Sequence, residues 1–448
     1  MSHRRLYETD AFDYEQKVPS YWESSVEAPS VTGSAFNSET IYDVAVIGGG
    51  FTGQSAALTL AKEGNLKVAI VEAGGVGWGA SGRNGGFCCM GGGKVTYDKL
   101  IKKYGLSDTQ HYLRIQREAV ELVRSIGQAN AIDFDACGEG EMMLAHKPGI
   151  AKSFKDEQYF LKSQFGIEAQ LFSQSELKEQ GMNAKGIHAG LHTPVGFGIN
   201  PLKYTYGLYE ACVRAGVHWH EHCAVDQWSK SGDLHLLDTA KGLLRARKII
   251  VATNGYTAEN LHTELSGKLL PVMSNIIVTR PLKESELEAQ GWNNHTMSFD
   301  SRNLLHYFRL LPDGRFLFGG RGGISAANNS LVPMEQQLTR EFQQMFPEWR
   351  DVERDYFWRG FAALSYQLSP HVSAFKHDKS AFYAMAYHGN GVAMGTWCGQ
   401  QVANLLLGKK HDIPSFLQKP LQKFPLPFLR KLYLRGAYLG YHIKDACF

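Results

Sequence analysis

IYDVAVIGGGFTGQSAALTLAKEGNLKVAIVE, Ile41 to Glu72, decides the fold. Ile41 to Ile47 is a short run rich in Val and Ile, read as a buried parallel strand. Gly48-x-Gly50-x-x-Gly53 follows, and QSAALTLAKEG then carries apolar residues at helical spacing. KVAIVE closes a β-α-β unit of about thirty residues. G-x-G-x-x-G alone is a weak signal. Between a strand and a helix, with an acid ending the second strand, it is a dinucleotide-binding fingerprint. Gly48 permits the tight turn, Gly50 lets a pyrophosphate approach the backbone, and Gly53 lets the helix pack close to the strand. Phe51 and Thr52 open a helix whose free N–H groups and dipole suit phosphates. Glu72, 19 residues after Gly53 and followed by Ala73, is placed to bind both ribose hydroxyls. A carboxylate there disfavours a 2′-phosphate and therefore NADP.

Outward from the acid, the chain runs into GGVGWGASGRNGG, Gly74 to Gly86, rather than into further β-α units. Glycine at that density costs backbone entropy and contributes no core. The backbone itself is needed close to something. The 448 residues exceed one compact core and imply two or three domains. A net charge of +3 is too small to argue for nucleic acid. The seven cysteines, Cys88, Cys89, Cys137, Cys212, Cys223, Cys398 and Cys447, form no Cys-x-x-Cys pair, so reduced thiols in a cytoplasmic protein are expected. Cys88 and Cys89 read as small residues packed near a loop, with redox sensing as the lesser reading. The first residues hold no apolar signal core, and no run of about 18 apolar residues suggests a membrane-spanning helix.

Further along, the pattern predicts helices over 107–128, 200–215 and 338–346, the second capped by Asn200 ahead of Pro201. LLHYFRLLPDGRFLFGG, Leu304 to Gly320, predicts a β-hairpin turning at Pro312-Asp313-Gly314. Ala381 to Gly391 reads as a strand entering a loop, and Val392 to Leu407 as a helix ended by Gly408. Residues 1–40 read as an extended arm.

Taken together, YDVAVIGGGFTGQSAALTLAKEG, VEAGGVGWGASGRNGG, HYFRLLPDGRFLFGG, YHGNGVAMGTWCGQQVANLLLG and FPLPFLRKLYLRGAYLGY resemble the D-amino-acid-oxidase family of FAD-dependent oxidoreductases. Within it the resemblance is nearest to the gamma-glutamylputrescine oxidoreductase type. It implies an α/β fold: an FAD-binding Rossmann-like domain, discontinuous in sequence, with an α+β substrate domain built on a mostly antiparallel sheet. The expected division is an arm at 1–40, FAD-binding segments at 41–100, 185–255 and 360–410, substrate-domain segments with connecting helices at 101–184 and 256–359, and a basic, aromatic tail at 411–448. That tail is expected to pack across the FAD domain or a subunit neighbour. A membrane-surface helix is the other reading.

Carried over residue by residue, the resemblance places Gly79, Ala80, Ser81, Gly82, Arg83, Asn84 and Gly85 along the pyrophosphate and flavin, where turn N–H groups form an anion nest. Val225 clasps the adenine, Asn254 and Gly255 make a second contact, and Gly389, Asn390, Gly391, Val392 and Ala393 hold the flavin pyrimidine at a helix N-terminus. Arg83 either stabilises charge on the reduced flavin or makes a structural bond. Asn84 reads as a loop brace. Some relatives bind FAD covalently through a His after the acid or a Cys near 358–370. Neither residue type stands there, so non-covalent FAD is expected. Where amino-acid-oxidising members carry a carboxylate-gripping Arg, this chain has Ala362 or Ala363, which favours an amine lacking an α-carboxylate.

The implied chemistry is oxidation of a C–N bond in a small amine or amine conjugate, gamma-glutamylputrescine-like, by hydride transfer to flavin N5. The imine hydrolyses, and O2 (giving H2O2) or another acceptor reoxidises the cofactor. Arg83, His388 and Tyr307 are the candidate catalytic residues. Tyr307, Arg309, Trp358 and His388 are the candidate substrate contacts, with structural roles open for each. No metal, nucleic acid or membrane partner is expected, and a homo-oligomer is compatible. An α-amino acid oxidoreductase (of glycine, sarcosine or a D-amino acid) and a non-turnover FAD redox sensor remain as alternatives.

Overall fold

The computed structural model describes residues 3–91 and 95–447, with the side chains of residues 446 and 447 outside the description. It contains two eight-stranded sheets and a small two-stranded one. In the first sheet, Ile41–Ile47 lies parallel between Val68–Val71 and Gly242–Val251. His218–His220 and Ala381–Met385 extend it in parallel on either side, and His371–Ala374 closes one edge antiparallel. The β-hairpin Val225–Ser231/Leu234–Thr239 continues from Gly242–Val251. IYDVAVI is buried from Val44 onward because both of its faces are covered, one by helices and the other by the hairpin and loop residues Val225, Leu237 and Leu261. The fingerprint helix, Phe51–Gly64, packs against the last long helix, Ala393–Leu406.

The second sheet runs Arg354–Ser365, Leu269–Thr279, Phe316–Arg321, His306–Leu310, Met297–Asp300, Glu141–Ala145, Ala189–Thr193, Gln170–Ser173. All its pairs are antiparallel except Met297–Asp300 with Glu141–Ala145. The expected α/β fold with a mostly antiparallel second sheet is therefore present. Two expected boundaries fall differently. Ala189–Thr193 pairs with Glu141–Ala145, and Arg354–Ser365 pairs along its length with Leu269–Thr279. Residues 189–193 and 360–365 thus sit in the second sheet, because ladder pairing continues through points where the chain shows no change of composition.

The predicted helices form as Leu106–Asn130 and Pro201–Arg214, the latter capped by Asn200 Oδ1, which accepts from Leu202 and Lys203 N–H at 3.2 Å each. The third begins earlier than expected, at Leu331 rather than Leu338. Pro333 hid the start: it reads as a breaker, yet in a first turn its missing N–H costs nothing.

The arm is extended apart from Thr9–Phe12 and Tyr21–Ser25, but it is not loose. Tyr7 and Trp22 are buried. Trp22 Nε1 donates to the Asn84 carbonyl at 2.8 Å, and Trp78 Nε1 donates to the Gln16 carbonyl at 2.9 Å.

The tail forms a helix, Arg430–Cys447. It packs on the second sheet, not across the first, with Leu434 against Leu270 and Val272. Arg430 donates to the Leu269 carbonyl and to Glu259, and Lys431 pairs with Glu8 at 2.9 Å. Alternation along Leu269–Thr279 presents Leu270 and Val272 to the helix, which explains that destination. Leu432, Leu439 and Ile443 remain exposed. No helix among the described residues is long and apolar enough to cross a membrane.

Candidate functional site

The C-terminal ends of Ile41–Ile47, Val68–Val71 and Gly242–Val251 open onto one face of the second sheet. Between them lies a single large chamber. Gly48, Gly50, Phe51, Thr52, Glu72 and Ala73 line its first part, and Gly79, Ala80, Ser81, Arg83, Asn84 and Gly85 continue the wall. Val225, Asn254, Gly389, Gly391 and Val392 close it from distant parts of the chain. Gly53, Gly82, Gly255, Asn390 and Ala393 lie behind that surface. Gly53 works from there: a Cβ on it would stand 1.9 Å from the Gly48 carbonyl oxygen, so the helix start presses directly on the turn, where Gly48 has φ +103°. Gly255 instead faces Phe361, where a Cβ would meet that side chain at 3.1 Å. The Asn390 side chain is buried with neither amide atom partnered.

The loops are tied together by main-chain bonds. Ser81 Oγ accepts from Phe51 N–H at 2.9 Å, joining the glycine loop to the fingerprint. Glu72 accepts from Gly49 N–H at 2.7 Å and Gly74 N–H at 3.1 Å. Burial pushes its pKa up, and those backbone donors oppose the rise. Asn84 is a brace: its amide donates to the Ala80 and Ser81 carbonyls and accepts from Gly86 N–H at 2.8 Å. Arg83 donates from Nε and Nη2 to the Trp78 carbonyl and from Nη1 to the Arg359 carbonyl, with its guanidinium 4.5 Å from the Trp78 ring centre. Asn254 has φ +43° and accepts from Ala386 N–H at 2.8 Å, lacing two distant segments together.

These residues fit FAD. Gly50 supplies no side-chain cap and Ser81 holds only Phe51 N–H, so the next N–H groups of the first turn are offered to an anion. A Cβ at Gly79 or Gly391 would meet nothing within 4 Å, so both glycines border open chamber where a flat ring can approach the backbone.

The opposite wall is one face of the second sheet. Tyr307 lies on it with its ring between two glycines: a Cβ on Gly319 would come within 2.2 Å of the ring, and one on Gly85 within 2.8 Å. Its hydroxyl bonds Ser274 Oγ at 2.7 Å, and burial pushes its pKa up to about 12. Alternation sends His306 to the other face, where it bridges Asp300 at 2.8 Å and Glu341 at 3.1 Å.

Three expected substrate contacts take other positions or states. Arg309 shares the Tyr307 face, as period-two alternation requires, but the glycine loop sits on top of it. Its Nε donates to the Gly85 carbonyl at 3.2 Å, Nη2 to the Ile199 carbonyl at 2.5 Å, and Nη1 to Cys137 Sγ at 3.4 Å. It is fully buried beneath the loop and does not line the chamber. Trp358 is likewise buried, donating from Nε1 to the Arg83 carbonyl at 2.7 Å and lying edge-on to Trp22. His388 does line the chamber, at φ +57°. Its Nε2 lies 3.3 Å from Ser365 Oγ and from the Ser369 carbonyl, and Nδ1 has no partner. Burial pushes its pKa down to about 3, so it is a neutral wall rather than a proton carrier near pH 7.

Several chamber residues are not apparent from the motifs. His3, Arg5 and Tyr14 bring the arm into the wall. Arg5 donates to the Tyr256 carbonyl and to Tyr14 Oη at 2.8 Å, with its Nε unpartnered. Arg321 ends the second hairpin strand, and alternation from Gly319 is the signal that places it. Glu141 is buried beside Cys89, which hydrogen-bonds it, and burial pushes its pKa up to about 8. The six cysteines whose side chains are described are all free thiols.

Comparisons agree with this geometry. The sequence profile of the DAO family, described as FAD dependent oxidoreductase, matches residues 43–405. A probable oxidoreductase OrdL of Haemophilus influenzae is 32% identical over 84% of this chain and 85% of its own length. The gamma-glutamylputrescine oxidoreductase of Escherichia coli is 29% identical over 87% of this chain and 89% of its own. Among solved structures, glycine oxidase from Geobacillus kaustophilus superposes with a TM-score of 0.70 at 20% identity, covering 86% of this chain and 99% of that one.

Proposed function

The chain belongs to the DAO family of FAD-dependent oxidoreductases, and we propose that it oxidises a C–N bond in a small amine or amine conjugate. One observation carries this reading. Three glycine-rich segments far apart in sequence converge on one chamber whose remaining wall is a sheet face carrying Tyr307, Ser274 and Arg321. Bound FAD supplies the acceptor for the two electrons and the hydrogen leaving the carbon next to nitrogen. The protein supplies position, exclusion of water and charge.

Gly50 and the open first turn hold the pyrophosphate, Glu72 the ribose, and Gly79 to Gly85 with Gly389 to Val392 the ring system. Arg83 contributes through its charge, since its donors are engaged by main-chain carbonyls and no carboxylate among the described residues pairs with it. Tyr307 stays protonated and orients the substrate from the sheet. His388, neutral, shapes the ring end of the chamber. The gamma-glutamylputrescine oxidoreductase relative supports an amine conjugate, as do Ala362 and Ala363 at the positions where amino-acid-oxidising members carry an α-carboxylate grip.

The test is purification of the holoprotein, a flavin absorption spectrum, and anaerobic bleaching by a panel of amines and amino acids. Peroxide release and dye reduction then separate oxidase from dehydrogenase. A flavin that no compound in the panel bleaches would sink the enzymatic reading in favour of a redox sensor.

A further inference from the structure

The acidic and basic side chains on the chamber wall sort by place. Glu72 lies at the nucleotide end, Arg5 is bonded to the Tyr256 carbonyl and to Tyr14, and Arg83 is bonded into its own loop. On the sheet face two remain, Arg321 and Glu141. They lie on strands separated by three pairings, Phe316–Arg321 to His306–Leu310 to Met297–Asp300 to Glu141–Ala145. Arg321 and Glu141 are therefore apart, with Tyr307 on a strand between them.

Arg321 and Arg309 share a sheet face and make an internal control for each other. Arg309 directs donors at three acceptors. Arg321 makes one hydrogen bond among the described residues, from Nη2 to the His388 carbonyl at 3.4 Å, the long limit of such a bond. It is opposite Ser274 in register, on the face that carries Tyr307. No described carboxylate pairs with it. The ionisable groups that bear on its charge are Tyr438, Tyr307 and Tyr441, none of them a carboxylate. His388, held neutral beside it, supplies no opposing charge either. An enclosed guanidinium with open donors is costly, and the cost is offset when a ligand brings an anion in planar, two-point geometry.

We propose that Arg321 is the anion-binding residue of the chamber, and that the substrate is an amine carrying a carboxylate which Arg321 grips. This rests on the amine-oxidation reading above and deepens it. The carboxylate does not need an arginine at 362, because the grip comes from the hairpin instead. Glu141, whose raised pKa leaves it mostly protonated near neutral pH, brings no charge that competes for the carboxylate.

The test uses holoprotein with its FAD. Simple carboxylates (acetate, butanoate, glutarate) are titrated while perturbation of the flavin spectrum is read, which measures binding without turnover. Arg321→Met should weaken that binding by about 30-fold or more, as loss of a bidentate charged contact implies. Arg321→Lys, which keeps charge and loses the fork, should weaken it by roughly 3- to 10-fold. FAD content should stay unchanged in both.

Matched pairs of amines, 4-aminobutanoate with butylamine and gamma-glutamylputrescine with putrescine, are then compared by anaerobic flavin reduction. The wild type should favour the carboxylated member at least tenfold, and Arg321→Lys should erode that preference. Carboxylate affinity unchanged within threefold in Arg321→Met overturns the proposal. Should that variant not fold, unchanged affinity and preference in Arg321→Lys overturn it equally. If carboxylates bind through Arg321 but no amine reduces the flavin, the amine-oxidation reading fails and the anion site stands. If plain amines reduce the flavin as well as carboxylated ones, amine oxidation stands and the carboxylate requirement falls.

Discussion

The two halves of the chamber are made of different material. The nucleotide half is main chain: Gly48 to Gly53, Gly79 to Gly85 and Gly389 to Val392 present N–H groups and bare backbone, and side chains such as Ser81 and Asn84 only tie those loops together. The substrate half is side chains projecting from one face of an antiparallel sheet: Tyr307, Ser274 and Arg321. The first half has no room for a side chain where its loops meet, as at Gly53 and Gly82. The second can exchange side chains while its strands keep their pairing. A family can therefore hold one cofactor and change substrates by altering residues on the sheet.

The sharpest way to break that contrast is to add atoms to the backbone half. Gly53→Val places its first carbon inside the Gly48 carbonyl. The turn must then open, and FAD occupancy should fall to roughly a tenth of wild type or less, with a reduced folded yield. Absorbance at the flavin band against protein absorbance measures it. Full occupancy would show that the turn and helix start can separate without loss of the site.

Arg309→Met tests the boundary between the halves. The arginine stands on the substrate sheet but serves the cofactor loop, through the Gly85 and Ile199 carbonyls. Its loss leaves two buried acceptors unpaired at about 1–3 kcal/mol each. The melting temperature and FAD affinity should drop, while the relative reactivity of different amines stays as in wild type. A changed substrate ranking with unchanged FAD affinity would return Arg309 to the substrate side.

The same contrast explains what could be read from the chain. The nucleotide half was legible because backbone function imposes glycine at set spacings, and Glu72 because a strand must end before the ribose. The sheet was legible as a hairpin, and alternation placed Tyr307 and Arg309 on one face. Depth was not legible: nothing in HYFRLL says that the loop at Gly85 covers Arg309 and stops short of Arg321. Trp358, for which the sequence leaves packing and a pocket wall both open, packs, buried under the Arg83 carbonyl. The arm reads as extended, but its place in the wall depends on contacts across more than 60 residues of sequence, such as Trp22 to Asn84.

That arm offers a milder test. Arg5 faces the chamber with Nε unpartnered and its charge stacked 4.6 Å over Phe12. Arg5→Ala removes one charge and one strap to Tyr256 from the cofactor side. FAD dissociation should speed up by about tenfold, a cost of about 1.4 kcal/mol. Amine preference should not change. An unaltered dissociation rate would limit the arm to packing.

The smallest expected effect lies behind the substrate sheet, where His306 bridges Asp300 and Glu341 while Arg302 also pairs with Asp300. Burial opposes the His306 charge, but hydrogen bonds to the two carboxylates prevail and raise its pKa to about 9. A raised folded pKa means stability that is fully present below the unfolded value near 6.5 and lost as pH climbs through 9. Asp300 and Glu341 are shifted the other way, downward, by His306 and, for Asp300, Arg302. Their contribution is present above the unfolded carboxylate values and lost as pH falls through the lowered ones. The cluster should thus stabilise most between about pH 4.5 and 6.5. Melting curves should show about 2 kcal/mol lost between pH 6.5 and 9.5, and His306→Gln should flatten that slope. Because Tyr307 faces the chamber and His306 faces away, carboxylate binding to the holoprotein should be unaffected by His306→Gln. If the variant instead alters carboxylate binding, the two faces of that strand are coupled, and the substrate half is less free to change than its side-chain construction implies.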